Sequence, residues 1–299
     1  MSRNYKISTE QIELALPAAI DLIQRAGALA MEFRKAGNFK IYTKTDHSRV
    51  TDADLALHDY ITAELPDIIP GVTVVSEEDK QHPKVKHGEP YWTVDPIDYT
   101  EGFIKGIQFY IQATLIDQGV PVLAVIGAPY RDTTIWATRD GKSYIEDKLN
   151  GPSGPQEIFT KAVTGDKLSL LGRGVFDSNV AMDETIKRLG ARGLTVDSSN
   201  ANKIPADDLP SFVQIAMGHA DLYITSGSKP DLIEGNGYSW DYAPNWLILR
   251  NAGEGGAMID VVSGKEAEFF EPATRMNALI GIGDKKKVEQ FFPNYGISC

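Results

Sequence analysis

Cysteine and histidine are scarce in this sequence of 299 residues, which has one cysteine, Cys299, and five histidines. A single thiol cannot form an internal disulfide, so we do not expect a disulfide-stabilised secreted domain. The histidines lack the spacing of a metal-binding pattern and stand at positions 47, 58, 82, 87 and 219. The first ten residues also lack the apolar core and the cleavage site of a secretory signal, which predicts a cytoplasmic location.

Long apolar runs and positive charge are also in short supply. A run such as residues 111–115 is interrupted by Gln112 and falls far below the roughly 20 residues of a membrane helix. The 30 lysines and arginines are outnumbered by 41 acidic residues, for a formal charge of −11. We therefore expect neither a membrane nor a nucleic-acid polymer as a partner. An acidic protein can still bind a phosphate when cations or local basic groups offset the repulsion.

The composition is that of an ordinary globular protein, with 42% hydrophobic and 24% charged residues. Apolar spacing predicts helices over 9–35 and 55–65 and strands over 72–75, 91–94, 109–117, 121–128 and 133–138. The segment 150–155 is rich in glycine and proline, which is typical of a linker. After it strands and helices alternate, with helices predicted over 178–189, 209–219 and 241–251. The chain is thus predicted to be of the α/β class, with an α+β domain over 1–150 and an α/β domain over 156–299.

Acidic residues cluster at four places along the chain. The clusters are Asp46 with Asp52 and Asp54, residues 77–79, Asp95 with Asp98, and Asp241. Singly, each has an ordinary explanation, since Asp52 and Asp241 are suitable helix caps and 77–79 a suitable solvated loop. Together, carboxylates from separate strand ends can bind two or three Mg²⁺ ions, which polarise a phosphoryl oxygen and activate water. The combination indicates metal-assisted phosphate hydrolysis.

Four blocks of sequence resemble the signatures of a known enzyme superfamily. They read KTDHSRVTDAD (44–54), VSEE (75–78), DPIDYT (95–100) and WDYA (240–243), with Gly253 further on. Their order and spacing are similar to those of the inositol monophosphatase superfamily along nearly the whole chain, and residues 95–129 most resemble its 3'(2'),5'-bisphosphate nucleotidase branch. The resemblance implies a layered αβαβα sandwich of the inositol monophosphatase and fructose bisphosphatase type. It also implies a Mg²⁺-dependent phosphatase, monomeric or homodimeric, that acts on a small phosphorylated substrate.

The resemblance also assigns roles to particular residues. It implies that Glu77, Asp95 and Asp98 bind a first metal ion together with the main-chain carbonyl of Ile97. Asp241 joins Asp95 and Asp98 around a second ion. With Glu77, the expected catalytic residues are those that orient and activate the attacking water, Asp46 and Thr100. A threonine hydroxyl can relay a proton from water to a carboxylate, which agrees with this assignment.

Tyr99 departs from the family pattern, which has glycine in this segment that receives the phosphate. Three interpretations follow. If the backbone geometry is ordinary, the ring can point away from the site. If it is the geometry that only glycine adopts readily, the phosphate site is distorted. In the third interpretation the ring enters the pocket and selects the substrate by stacking or through its hydroxyl.

Other departures concern the rest of the substrate site. The block LGRGVFD (171–177) keeps only Arg173 of a nucleotidase-like motif, and DSSNANK (197–203) is a partial match that retains Ser199 and Lys203. Lys229 lies in an extended loop, 226–237. These four residues, with Tyr99 and Thr100, are the expected substrate contacts. After Asp241, the residues YAPN (242–245) replace the small residues of the family.

The predicted activity is hydrolysis of a 3'(2'),5'-bisphosphate nucleotide. The second phosphate needs cations, for which Arg173, Lys203 and Lys229 are available. An inositol or sugar monophosphate is the alternative substrate and needs hydroxyl-binding groups instead. A substrate peculiar to one specialised pathway would also explain the departures from the family pattern. The alternative of another class is a catalytically silent metal- or nucleotide-binding homologue. Retention of all the carboxylates favours the enzyme, because like charges held together destabilise a fold unless an ion compensates them.

Overall fold

The protein alternates layers of helix and sheet. The structure is a computed structural model that describes residues 5–163, 167–171, 186–187, 190–191, 193, 195–197, 209–225, 237–260, 262–277 and 279–293. Its helices are α1 Thr9–Ala36, α2 Asp52–Ile68, α3 Thr100–Lys105, α4 Ser211–Ala216, α5 Ser239–Arg250 and α6 Lys285–Phe291. Its strands are β1 Ile41–Thr43, β2 Arg49–Thr51, β3 Thr73–Ser76, β4 Tyr91–Asp98, β5 Tyr110–Asp117, β6 Val120–Ala128, β7 Thr133–Thr138, β8 Ser143–Asp147, β9 Gln156–Glu157, β10 Lys167–Ser169, β11 Thr195–Asp197, β12 Leu222–Ile224, β13 Ala257–Asp260 and β14 Leu279–Ile282.

A seven-stranded sheet in the order β3-β4-β5-β6-β7-β8-β9 forms the centre of the fold. The strands β3 and β4 are parallel and the remaining neighbours antiparallel. Every residue of β5 and β6 is buried, because α1 and α2 cover one face of the sheet while α5 covers the other. The near-continuous apolar runs of these two strands are typical of strands covered on both faces.

A smaller sheet completes the layers. Its three strands, in the order β12-β14-β13, pack on α4 and α5 on one side and on α6 on the other. The sequence of layers is helix, sheet, helix, sheet, helix. The predicted α/β class and layered αβαβα sandwich are thus confirmed.

Helix α1 covers the length that its apolar spacing predicts. Ser8 caps its start by a reciprocal bond with Gln11, and Gly37 ends it at a φ of 66°. The helix is also long and apolar enough to cross a membrane by length and composition alone, which corrects the expectation that no segment reaches that limit. Here its apolar face packs against α2 and the central sheet, as in the core helix of a soluble protein.

Two helix starts differ from those predicted. The cap of α2 is Thr51, not Asp52, because the Thr51 hydroxyl accepts the N–H groups of Ala53 and Asp54, while the Asp54 carboxylate bonds back to the Thr51 N–H at 2.7 Å. Asp241 lies in the first turn of α5, two residues after its start, and is not the cap. In both cases the carboxylate is already inside the helix and projects from its first turn.

The predicted boundary between two domains falls between β8 and β9. These strands pair with each other, with Tyr144 opposite Glu157, so the connecting segment 150–155 joins neighbours in one sheet. The core on one face of that sheet also combines residues from both halves of the chain. The division into 1–150 and 156–299 stays a prediction. The helix predicted over 178–189 lies outside the described residues except for 186–187.

Candidate active site

A cavity of about 380 Å³ opens where β3 and β4 end and α3 and α5 begin. The turn between β1 and β2 forms its remaining side. The residues that line it are His47, Ser48, Arg49, Glu77, Asp95, Ile97, Asp98, Tyr99, Thr100, Glu101 and Asp241. The structure therefore brings all five predicted metal-binding positions together, from segments that are far apart in the sequence.

Three carboxylates lie together in this cavity. Asp95, Asp98 and Asp241 each offer an oxygen, and these oxygens all lie within 4.8 Å of one another. Asp95 is only 1% exposed, and its Oδ1 is buried without a hydrogen-bond partner among the described residues. Burial and the neighbouring carboxylates raise the pKa values of Asp95 and Asp241 well above the ordinary range. Three such groups are held together at a cost in free energy that a bound cation would offset.

A second pair of carboxylates comes from the loop after β3. Lys44 Nζ bonds Glu77 Oε1 at 2.8 Å and Glu78 Oε1 at 2.6 Å, which anchors this loop to the end of β1. Burial and the charge of Glu77 raise the pKa of Glu78 to about 7. Lys44 therefore balances part of the negative charge on this side of the cavity, although sequence reasoning did not include it among the site residues.

The donors of this cavity fit a hard divalent cation. Carboxylate and carbonyl oxygens are the ligands that Mg²⁺ and Ca²⁺ prefer. A buried carboxylate oxygen without a hydrogen-bond partner is costly unless a cation coordinates it. Asp95 and Asp98 on β4, Glu77 after β3 and Asp241 on α5 supply such oxygens on different sides of one space. The residues predicted to bind Mg²⁺ are thus chemically suited to a hard divalent cation.

Thr100, at the start of α3, is hydrogen-bonded to a different aspartate from the one expected. Its Oγ1 donates to Asp54 Oδ1 at 3.1 Å and also lies 3.2 Å from the carbonyl oxygen of Ile97. Asp46, the expected partner, accepts instead from the N–H and hydroxyl of Ser48 in the exposed turn between β1 and β2, and that hydroxyl helps to lower the pKa of Asp46. The structure thus pairs Thr100 with Asp54, while the role in activating the water that was expected of Asp46 stays a prediction.

Asp54 has the surroundings of a proton acceptor. It is 1% exposed and burial raises its pKa, while hydrogen bonds from Thr51 and Thr100 oppose that rise. The signal that could have identified it is the spacing of Thr51 and Asp54, which is that of a capping box and places the carboxylate in the first turn of a helix.

Tyr99 adopts the backbone geometry that favours glycine. Its φ and ψ are 68° and 54°, in the left-handed region, and it immediately precedes α3. Its ring lies over Gly102, where an added Cβ would collide with the ring and with the main-chain oxygen of Gln108. The side chain lines the cavity and is 37% exposed. Of the three interpretations, the ordinary backbone geometry is wrong, and the ring forms part of the cavity wall.

The remaining expected substrate contacts, Arg173, Ser199, Lys203 and Lys229, lie outside the described residues. Their roles stay predictions.

Comparison with known proteins relates this arrangement to one family. The sequence matches the inositol monophosphatase family over residues 12–289. It is 30% identical over 241 residues to the 3'(2'),5'-bisphosphate nucleotidase CysQ of Escherichia coli O157:H7, which covers 80% of this chain and 88% of that protein. It is 27% identical to a histidinol-phosphatase of Mycobacterium tuberculosis, with 83% and 89% covered. The crystal structure of CysQ from Bacteroides thetaiotaomicron has the same fold, with a TM-score of 0.67 and 21% identity over 92% of this chain and 98% of that one.

The fold, the cavity and these relatives define a hydrolase of phosphoric monoesters. The chain belongs to the inositol monophosphatase family. Members of this family are generally metal-dependent phosphatases, which agrees with the cluster of Asp95, Asp98 and Asp241.

Proposed function

We propose that this protein is a Mg²⁺-dependent phosphatase that hydrolyses a 3'(2'),5'-bisphosphate nucleotide by attack of an activated water. The observation that carries the proposal is the convergence of Asp95, Asp98 and Asp241 on one point, with a buried Asp95 oxygen that lacks a hydrogen-bond partner among the described residues. A cytoplasmic location and a monomeric or homodimeric state belong to the same proposal.

The metal ligands in this proposal are oxygens from three elements. Glu77, Asp95, Asp98 and the carbonyl of Ile97 would hold one ion, and Asp241 with Asp95 and Asp98 a second, with two or three ions in total. Divalent ions bound there would polarise a phosphoryl oxygen and lower the pKa of a water molecule. Asp95 and Asp98 lie on β4, the strand next to β3, and Glu77 directly follows β3, so these three side chains would share the same side of the site.

Asp54 and Thr100 are the proposed route for the proton of the attacking water. Because Thr100 Oγ1 donates its hydrogen to Asp54 Oδ1, its lone pairs are free to accept a hydrogen bond from water. As the water attacks, Thr100 would take its proton and pass its own to Asp54. The raised pKa of Asp54 suits a group that has to accept a proton near neutral pH.

The choice of substrate rests on kinship and on Tyr99. A relative at 30% identity acts on 3'(2'),5'-bisphosphate nucleotides, and Tyr99 offers an aromatic surface on the cavity wall, against which a nucleobase can stack. Arg173, Ser199, Lys203 and Lys229 would supply the contacts to the second phosphate. An inositol or sugar monophosphate is the second candidate, because inositol monophosphatase of Dictyostelium discoideum is 24% identical over 84% of the chain.

The test is phosphate release from adenosine 3',5'-bisphosphate, myo-inositol 1-phosphate, histidinol phosphate and a sugar phosphate, with Mg²⁺ and with EDTA. We expect fastest turnover of the bisphosphate and none in EDTA. The matched variant Asp241→Asn should fold normally but lose turnover, because it removes a ligand charge without a change in shape. Activity that survives both EDTA and Asp241→Asn would overturn the metal mechanism. Binding of Mg²⁺ without turnover of any substrate would favour the catalytically silent homologue.

A variant at Tyr99 tests the substrate preference separately. Tyr99→Gly removes the ring and should raise KM for the bisphosphate nucleotide more than for inositol phosphate, since only the nucleotide has a base to stack. Tyr99→Phe keeps the ring and is the matched control. Equal changes in KM for the two substrates would show that the ring does not select between them.

A further inference from the structure

Two buried amide side chains lie directly behind the metal-binding carboxylates. Gln112 on β5 is 1% exposed and Asn245 on α5 is 3% exposed. A buried amide destabilises a core unless it is hydrogen-bonded, so the hydrogen-bond partners of these two side chains indicate what they do. Neither belongs to the predicted ligand set or to the water-activating pair.

The two amides form a chain of hydrogen bonds between two metal-binding residues. Gln112 Nε2 donates to Asp98 Oδ2 at 2.7 Å. Asn245 Nδ2 lies 3.5 Å from Gln112 Oε1 and donates to the carbonyl oxygen of Asp241 at 2.7 Å. The Gln112 amino group faces Asp98 and its oxygen faces Asn245, an arrangement that suits an ionised carboxylate, which can only accept hydrogen bonds. Two acceptors, the Asp98 carboxylate and the Asp241 carbonyl, thus set the orientation of the two amides.

The fold explains why these two side chains meet. Gln112 lies opposite Asp95 in the antiparallel pairing of β4 with β5, so the two side chains project from the same face of the sheet. The register of the β4–β5 pairing shifts between Asp95 and Asp98, both of which are on β4. Asn245 follows Asp241 by one helical turn and lies on the same side of α5. The amides therefore link the sheet that carries two carboxylates to the helix that carries the third.

We propose that Gln112 and Asn245 are positioning residues that set the affinity of the shared metal site. This inference rests on the proposed function, because it assumes that Asp98 and Asp241 hold the ion. Gln112 fixes the rotation of the Asp98 carboxylate with a neutral donor, which leaves its charge available to the ion. Asn245 holds Gln112 in place and ties it to the main chain of Asp241. Partners behind metal ligands typically change metal affinity by about 10–100-fold.

The experiment is calorimetric titration of the purified protein with Mn²⁺ alone. Gln112→Met keeps the length of the side chain and removes the donor, and we expect its Mn²⁺ dissociation constant to rise about 10–100-fold. Saturating metal should restore most of kcat, because the ligands themselves remain. Asn245→Ala should weaken binding less, and the double variant should bind no more weakly than Gln112→Met, since Asn245 acts through Gln112.

Gln214→Met is the matched control. Gln214 is a buried glutamine on α4 that donates to the carbonyl of Leu209 at 2.8 Å and does not line the cavity. Gln214→Met should lower the free energy of unfolding without a change in Mn²⁺ affinity. If Gln112→Met behaves in the same way, Gln112 has only a structural role and the inference is wrong. Should Gln112→Met not fold, Gln112→Asn, which is one methylene too short to reach Asp98, takes its place with the same expectation.

A further variant separates failure of this inference from failure of the proposed function. Asp241→Asn should bind Mn²⁺ far more weakly than the natural chain. If Asp241→Asn binds Mn²⁺ with normal affinity, the proposed metal site is wrong, and the inference about Gln112 and Asn245 is wrong too. If Asp241→Asn loses binding while Gln112→Met retains full affinity, the metal site stands and only the positioning role is overturned.

Discussion

At the scale of single residues, Asp46 and Asp54 belong to one acidic stretch but differ in their surroundings. Asp54 is buried against Thr100, whereas Asp46 is exposed in a turn. We predict that Asp54→Asn lowers kcat by about 10²–10⁴-fold, which is the usual contribution of a general base. Asp46→Asn is the matched control and should stay within a few-fold of the natural rate. Steady-state kinetics at saturating Mg²⁺ measure both, and a larger loss in Asp46→Asn would contradict the assignment.

The backbone of Tyr99 supports a second prediction at this scale. A left-handed conformation costs an ordinary residue about 1–2 kcal/mol, asparagine tolerates it better, and a β-branched residue is the least suited to it. Tyr99→Asn and Tyr99→Val both remove the ring over Gly102, so their difference reports the backbone alone. We expect Tyr99→Val to be less stable than Tyr99→Asn by about 1 kcal/mol or more in urea unfolding. Equal stabilities would show that this φ is not strained.

At the scale of elements, α3 depends on close packing around Gly102. A Cβ at this position would meet the main-chain oxygen of Gln108 and the ring of Tyr99. We predict that Gly102→Ala destabilises the protein by about 1–3 kcal/mol, the usual result of overpacking, and lowers activity because α3 carries Thr100. Gly190→Ala is the matched control, since its Cβ would meet no atom of the described part of the chain within 4 Å. Chemical unfolding and kcat/KM of both variants test this, and a harmless Gly102→Ala would count against it.

The elements also differ in how far the sequence predicts them. Helix α1 and the pair β5 and β6 are confirmed because a long amphipathic repeat and long apolar runs leave few alternatives. Apolar spacing does not predict helix α3, because six residues are too short to show a period and an isolated helix of that length is unstable in water. The strand β14 was also missed, because it is a short apolar run whose partners, β12 and β13, are brought to it by the tertiary fold.

At the scale of the whole molecule, the buried carboxylates make stability depend on pH and on metal. A carboxyl whose pKa is raised by folding binds more protons in the folded state than in the unfolded state. The free energy of unfolding therefore falls as pH rises from the ordinary carboxyl value of about 4 through the raised folded value. That folded value is about 7 for Glu78, and the pKa values of Asp95 and Asp241 are also raised.

We predict that in EDTA the melting temperature is lower at pH 8 than at pH 5.5, and that Mg²⁺ restores it. Ions at one hundred times their dissociation constant would add about 2.7 kcal/mol of stability. Asp95→Asn should melt higher than the natural chain in EDTA at pH 8, because it removes a buried charge, and should gain nothing from Mg²⁺. Thermal melts monitored by circular dichroism measure these differences. A melting temperature that is independent of pH and Mg²⁺ would refute the coupling.

Part of the candidate site could be predicted from the sequence, and part of it only the structure shows. Carboxylates that follow predicted strands were expected to converge, and Glu77, Asp95 and Asp98 do so because the ends of β3 and β4 meet at one edge of the sheet. Asp241 joins them from the first turn of α5. Which aspartate faces Thr100 was not predictable, because it depends on where α2 begins and how that helix packs. The amide chain of Gln112 and Asn245 was equally hidden, since its members are far apart in the sequence.

The sequence by itself determined the layered class of the fold, the family and the carboxylates that line the cavity. These follow from apolar periods and from motifs whose residues are close together along the chain. Only the tertiary structure decided the partner of Thr100, the left-handed conformation of Tyr99 and the amides behind Asp98. Each of these depends on how separate elements pack against each other. Hydrogen-bond distances between residues that are far apart in the sequence cannot be derived from local sequence patterns.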